Sequence, residues 1–380
     1  MNSNNSLKES VDIRRSWIFV FLVVSLISIL TIFASLAVFI GLKSLKSPPR
    51  SGLWYPSLIQ NEQIVGYSWK PNINIDYPFG INQHYRIYTD AQGVRVFSPS
   101  KPVNNESLIV AIGDSQTFGQ GVSLEQTYIS KAGTKLKVDV VNLAVSGYGT
   151  VSALLRLERF QDLKPKIVIL GHYYDHPRRS LSRCYPGFSF SCMSVPYVNL
   201  QAGKEIEIVL PKNNANVIRM LRDFNDYISG HGDVFSFGLD FYWTSQRLYA
   251  DYAQSSEFLF DRISPAMEEE KKATDFLYDH LAKLGAKRGF EVIIVYIPNY
   301  FGTTVEPPPA FLAKAAEKYN FSLVDMTHDF QAALDKAKDS IVIPNDGHIN
   351  EQGHELISNR LTGLIKSSSK FREILFRTDR

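Results

Sequence analysis

Ser107-Leu108-Ile109-Val110-Ala111-Ile112-Gly113-Asp114-Ser115-Gln116-Thr117-Phe118-Gly119 is the stretch on which the fold turns. Its first six residues form a short apolar run that stops at a glycine, as expected of a strand buried on both faces of a parallel sheet. Gly113-Asp114-Ser115 then has the composition of a tight turn, so Ser115 is expected at the carboxyl edge of the sheet, where strand gives way to helix. Runs of the same kind recur at Val138 to Val141, at Lys166 to Leu170 and at Glu291 to Ile297, where Pro298 ends the run. Ser322 to Val324 is a weaker fifth. Helical spacing lies between them, clearest from Ala266 to Lys287, where Phe276, Leu277, Leu281 and Leu284 recur. Strands alternating with helices predict an α/β fold whose parallel sheet is covered on both faces and binds ligands at the carboxyl ends of its strands.

Working outward, the main domain is read as residues 107–368, with an insertion at about 177–265 that breaks the strand–helix rhythm. That insertion is rich in aromatic residues and holds both cysteines, Cys184 and Cys192, close enough to bridge in an oxidising compartment. Residues 369–380 read as a C-terminal tail. Residues 43–106 read as a linker (KSLKSPPRSG at 43–52) followed by an irregular extension rich in Tyr, Pro and Asn, with short β-like runs such as His84 to Thr89.

Trp17 to Leu42 is free of charge over 26 residues, enough for a tilted transmembrane helix behind a short tail at 1–16. Arg14 and Arg15 on one side and Lys43 on the other can reach lipid headgroups, and Trp17 sits at an interface position. The run is too long for the apolar core of a cleaved signal peptide. One uncleaved transmembrane anchor is therefore expected. Its flanks carry equal basic charge, so the large domain and the cysteine pair are what point to an extracytoplasmic location.

The chain has 380 residues and a formal net charge of +3. The basic excess belongs to residues 1–50, where Lys8, Arg14, Arg15, Lys43, Lys46 and Arg50 stand against Glu9 and Asp12. The remainder is close to neutral, which gives no electrostatic basis for nucleic-acid binding.

Three motifs carry chemistry. Ser115 has a hydroxyl presented to a cleft and a backbone N–H at a helix N-terminus, where it can face developing negative charge. Pro344-Asn345-Asp346-Gly347-His348 supplies the base a serine hydroxyl needs, with an aspartate to hold the imidazole in one tautomer. Asn142-Leu143-Ala144-Val145-Ser146-Gly147-Tyr148-Gly149 follows the second strand, where a glycine lets the backbone approach closely and donate an N–H to an oxyanion. His172, Asp175 and His176 are of metal-ligating types, but they follow a strand rather than share a helix face; no metal and no cofactor are expected.

Taken together and in order, GDSQTFGQG, NLAVSGYG and DGH-I-N resemble the conserved blocks of the SGNH/GDSL hydrolase superfamily, over roughly residues 85–366. Tyr88 to Arg95 (YTDAQGVR) resembles a segment ahead of the first block in bacterial cell-surface members. The resemblance implies a three-layer α/β/α sandwich with a flavodoxin-like sheet. It implies Ser115 as nucleophile, His348 as base, and the N–H groups of Ser115 and Gly147 as oxyanion donors. Two positions depart from the pattern. The family's aspartate usually stands three residues before the histidine, where this chain has Asn345, and Asp346 takes the role from two residues before. The third block normally supplies an oxyanion-binding Asn, where this chain has Asp175, with His172 or His176 as substitute donors.

The function this implies is a serine-dependent esterase acting on O-acyl, chiefly O-acetyl, esters of a cell-envelope or extracellular glycan. The same residues would serve an O-acyltransferase supplied by a multispanning acyl-donor protein. The Asp175 and Asn345 departures keep a catalytically weak glycan-binding or scaffold protein as the third reading.

Overall fold

The computed structural model describes residues 57–79, 84–184, 193–201, 203–228, 267–301, 304–337, 340–344 and 346–376, with single positions at 25, 28 and 31. The expected anchor at 17–42 otherwise lies outside the described residues. No helix among the described residues is long and apolar enough to cross a membrane.

The extension ahead of the main domain is more regular than its composition suggests. It folds as two antiparallel hairpins, β1 (Ile59–Glu62) with β2 (Gly66–Trp69), and β3 (Asn74–Pro78) with β4 (His84–Tyr88). All four residues of β2 are buried, and a run of four is too short to declare a strand from the sequence. Tyr67, Trp69 and Tyr85 from these hairpins join the core of the main domain.

Five strands form the central sheet: β5 (Ile109–Ile112), β6 (Val140–Asn142), β7 (Ile167–Tyr173), β8 (Glu291–Ile297) and β9 (Ser322–Asp325). They run parallel in the spatial order β9-β8-β7-β5-β6. Counted along the chain this is 2-1-3-4-5, the order of flavodoxin-like doubly wound sheets. Strand alternation sends Ile109, Ala111, Ile167, Ile169, Ile293 and Val295 to one face and Val110, Ile112, Val168, Leu170, Val292 and Ile294 to the other. Both sets are buried, so the strands read as continuous apolar runs.

Helices cover each face. The first set of strand residues packs on α2 (Tyr128–Leu136), α8 (Thr327–Lys336), α9 (Glu351–Ser367) and α10 (Ser369–Phe376). The second packs on α3 (Thr150–Arg159), α6 (Met267–Arg288) and α7 (Ala310–Lys318). Helix ends follow ordinary capping chemistry. Asn350 accepts from the N–H groups of Gln352 (2.9 Å) and Gly353 (3.1 Å) to start α9. In α6, Glu268 to Glu270 occupy the first turn and Lys287 and Arg288 the last, complementing the helix dipole.

Two boundaries differ from the sequence reading. The segment read as a tail from residue 369 is α10, whose Phe371 and Leu375 are buried in the same core as α9. The insertion begins with regular structure. It contains α4 (His176–Leu181), a hairpin of Tyr197–Asn199 with Glu207–Val209, and α5 (Ala215–Ile228). Cys184 is disulfide-bonded; Cys192, the chain's other cysteine, lies outside the described residues.

Candidate active site

The carboxyl end of β5 turns sharply into α1 (Ser115–Phe118), a single helical turn. Gly113 adopts φ of 152°, and a side chain there would press on Thr117 Oγ1 and the Gly171 carbonyl. Asp114 caps the turn by accepting from the Gln116 N–H at 3.0 Å. Gly171 on β7 sits directly beneath, where an added Cβ would come within 2.8 Å of the Tyr128 hydroxyl and also strike Thr117. Only a glycine lets β7 and α1 approach this closely.

Arg95 fastens the other end of this turn. Its side chain is buried and donates to the carbonyls of Phe118, Gly119 (3.0 Å) and Val122 (2.7 Å). It thereby satisfies carbonyls that the end of a one-turn helix leaves without partners. Arg95 belongs to the YTDAQGVR segment, in which Asp90 accepts from the N–H groups of Gln92 and Val94, both at 2.9 Å.

His348 is delivered from the opposite end of the chain, by the loop ahead of α9. Its Nε2 lies 2.8 Å from Ser115 Oγ, and its Nδ1 is in hydrogen-bond contact with Asp346 Oδ1. The same Oδ1 accepts the His348 backbone N–H at 3.2 Å. A carboxylate can only accept, so it places the proton on Nδ1 and leaves the Nε2 lone pair directed at Ser115. The edge of Phe79, from the N-terminal extension, packs against the imidazole with ring centres 6.1 Å apart. Asn345, the residue at the family's usual aspartate position, lies outside the described residues.

The loop after β6 lies beside the nucleophile turn, as the parallel order requires. Leu143 N–H donates to the Ala111 carbonyl (2.8 Å), Val145 N–H to the Gly113 carbonyl (3.2 Å), and Asn142 Nδ2 to the Thr117 carbonyl (2.8 Å). Gly147 takes φ of 85°, in the left-handed region that favours glycine. Tyr67 in β2 donates its hydroxyl to the Ser146 carbonyl at 2.8 Å, fixing the plane of the Ser146–Gly147 peptide. Neither the Ser115 nor the Gly147 backbone N–H donates to a partner among the described residues.

Asp175 does not join this constellation as a donor. Its carboxylate stands 2.9 Å from Arg179 Nε in an ion pair and 3.3 Å from Arg178 Nη2. A carboxylate paired with two guanidinium groups is an acceptor, so this geometry lends no support to Asp175 as an oxyanion donor. Arg179 also donates to Asp114 Oδ2 (3.0 Å) and to the Tyr148 carbonyl (3.2 Å), tying the third loop to the other two. Burial pushes the Asp114 carboxyl up, but His176, in hydrogen-bond and charge contact, and Arg179 together hold it below its ordinary range.

The two histidines considered as substitute donors are enclosed in the protein. His172 Nδ1 meets the Tyr278 hydroxyl at 3.1 Å, and burial lowers its pKa well below the ordinary value. His176 Nδ1 meets Thr150 Oγ1 at 3.4 Å. Among the described residues no cluster of His, Cys, Asp and Glu could hold a metal ion.

The arrangement is that of an activated hydroxyl: a serine at a helix start, an imidazole on its oxygen, a carboxylate behind the imidazole, and two uncommitted N–H groups in the adjoining turns. Arg95, Arg179 and Gln116 were not singled out from the sequence. Arg95 ends the YTDAQGVR segment and Arg179 pairs with Asp175 four residues away, but the other atoms these side chains hold are remote along the chain.

No protein-family model and no curated protein matches the chain. Among solved structures it is similar to an α/β hydrolase enzyme from the metagenome of Lake Arreo, Spain, at 15% identity, covering 68% of this chain and 95% of that one, with a TM-score of 0.37. It is similar also to a two-domain esterase active on acetylated mannans, at 13% identity, covering 69% of this chain and 49% of that one, with a TM-score of 0.36. A family two carbohydrate esterase from Clostridium thermocellum, in complex with cellohexaose, matches at 12% identity over 71% of this chain and 66% of its own, with a TM-score of 0.33. The chemistry of this chain is read from its own Ser115, His348 and Asp346.

Proposed function

We propose that the protein is a serine-dependent ester hydrolase of SGNH type that removes O-acyl groups, chiefly O-acetyl, from a cell-envelope or extracellular glycan. The observation that carries this reading is the 2.8 Å approach of His348 Nε2 to Ser115 Oγ with Asp346 behind the imidazole. In the proposed reaction Ser115 Oγ attacks the acyl carbonyl carbon while His348 takes its proton. The oxyanion is held by the N–H groups of Ser115 and Gly147, and Asp346 stabilises the imidazolium. His348 then protonates the departing sugar hydroxyl as the ester bond breaks. Water, deprotonated by His348, attacks acyl-Ser115 and releases the carboxylic acid.

The same acyl-enzyme handed to a sugar hydroxyl instead of water would make the protein an O-acetyltransferase, served by a multispanning membrane acyl donor. A catalytically weak glycan-binding protein is the reading favoured by the loss of a donor at Asp175, since one oxyanion donor is worth about 3 kcal/mol. The 26 uncharged residues from Trp17 to Leu42 support a single-pass anchor. The disulfide at Cys184 supports an extracytoplasmic domain.

Intact mass spectrometry of the full chain in detergent, after treatment with a fluorophosphonate or an acetyl ester, tests the reading beside Ser115→Ala. One adduct on the wild type alone is expected. Offering the acetyl-enzyme water or an oligosaccharide then separates hydrolase from transferase. A folded wild type that takes up no adduct would favour the binding protein.

A further inference from the structure

We infer that Gln116, the residue directly after Ser115, is a positioning residue that holds the His348 loop at the distance catalysis needs. This rests on the acyl-Ser115 reading above. The side chain of Gln116 is buried and lies between the two halves of the site. Its Oε1 accepts the Ile349 N–H at 3.0 Å and its Nε2 donates to the Gly347 carbonyl at 3.4 Å. One amide therefore engages the backbone immediately before and immediately after His348, across more than 230 residues of sequence.

Among the described residues Gln116 is the residue of α1 that bonds the backbone on both sides of His348. Ser115 and Gln116 are consecutive, so their Cα atoms are about 3.8 Å apart and cannot separate. Any drift of His348 away from Ser115 must stretch both amide bonds at once. The loop itself is narrow: Gly347 has φ of 90°, and it is braced within its own strand-like turn by the His348 carbonyl accepting from Ile343 N–H at 2.8 Å. Those internal bonds shape the loop but do not set its distance from α1. The Tyr300 hydroxyl donates to the same Gly347 carbonyl, so the peptide ahead of His348 is gripped by two donors. Asp346 orients the imidazole ring; Gln116 and Tyr300 fix where the ring stands.

The test measures the rate of fluorophosphonate labelling of Ser115, kcat and KM on p-nitrophenyl acetate, and the melting temperature, on the full chain in detergent. Displacement of a reacting group by about 1 Å costs on the order of a hundredfold. Gln116→Met, close in shape but without either bond, is expected to slow labelling and kcat by about 10- to 100-fold with KM within about threefold. Gln116→Glu keeps an acceptor for Ile349 and is expected to recover part of that loss. A Met variant that melts lower but labels within about twofold of wild type would overturn the inference, leaving Gln116 a packing residue. Should the Met variant fail to fold, Tyr300→Phe keeps the question open to refutation: it must slow labelling by about two- to fivefold, and an unchanged rate overturns the grip on Gly347. A wild type that takes up no label at Ser115 removes the acyl-Ser115 reading itself, and the inference with it.

Discussion

Replacing Asp346 by Asn separates the charge of that residue from its geometry. In the structure a single oxygen, Oδ1, receives both the His348 N–H at 3.2 Å and the Nδ1–H. An asparagine carbonyl at the same place can accept both bonds, so the tautomer of His348 and the loop are retained. What is lost is the negative charge beside the imidazolium formed when Ser115 attacks. Two unit charges at roughly 4 Å and an effective dielectric of about 20 attract by about 4 kcal/mol. That corresponds to a kcat about a thousandfold lower, since each 1.36 kcal/mol is about a factor of ten. The assay is steady-state hydrolysis of p-nitrophenyl acetate together with the rate of fluorophosphonate labelling, with the melting temperature as a control for folding. A folded Asp346→Asn protein within about fivefold of wild type on both rates would refute the reasoning and move the role of Asp346 from charge to shape alone.

Three further outcomes follow from buried positions. Arg179→Met removes the guanidinium partner of the fully buried Asp114 and Asp175 of its ion pair. Asp114 keeps the Gln116 N–H and His176, and Asp175 keeps Arg178, so the loss is that of charge-assisted hydrogen bonds, roughly 1.5–3 kcal/mol of unfolding free energy in urea titration, and a loss under about 0.5 kcal/mol would show the pairing to be dispensable. His354 accepts the Tyr128 N–H at 3.2 Å, and burial, followed by the charges of Arg95 and Lys131, pushes its pKa down to about 3. Between pH 6.5 and about 3 the unfolded chain binds a proton there that the folded protein refuses, so stability falls as pH falls through that window. The cost at pH 5 is about 2 kcal/mol, and His354→Gln, which keeps an acceptor for Tyr128, should lose that much less stability between pH 7 and 5. Equal pH slopes for variant and wild type would contradict this. Gly171→Ala should be folded but slow, because the new methyl group strikes Thr117 on the nucleophile turn. Overpacking of this kind costs about 1–3 kcal/mol, and labelling of Ser115 unchanged from wild type would show that the turn absorbs the methyl elsewhere.

The sheet was legible because its strands are buried on both faces and therefore uniformly apolar. Glu291 to Ile297 is read and observed with the same ends. The lesser runs shift by a few residues: the second strand is observed at Val140–Asn142, and the third continues to Tyr173. Strand ends of this sort are set by pairing with the neighbours, information that is remote in sequence. In the extension the run read at His84 to Thr89 is observed as His84–Tyr88, whereas the pairing of its four short strands into hairpins depends on partners that no local pattern marks. The last helix was missed although Phe371 and Leu375 stand four apart, because a helix of eight residues gives too short a run to declare its period.

The same division holds at the site. Sequence alone marked the residues proposed to carry the chemistry, since Ser115, His348 and its neighbouring Asp346 stand in local motifs: a turn after a strand, an Asp-x-His ahead of a capped helix, a glycine loop after the next strand. It also located the membrane-length apolar segment, a property of composition over consecutive residues. Tertiary structure decided what those residues are held by. It brought His348 to 2.8 Å from Ser115, paired Asp175 with Arg179, and set Arg95 on the nucleophile turn, Gln116 on the His348 loop and Tyr67 on the glycine loop. Apart from the Asp175–Arg179 pair, four residues apart, these are contacts between groups tens to hundreds of residues apart. A local pattern cannot encode them, because their geometry exists only once the strands have paired and brought the loops to one edge of the sheet.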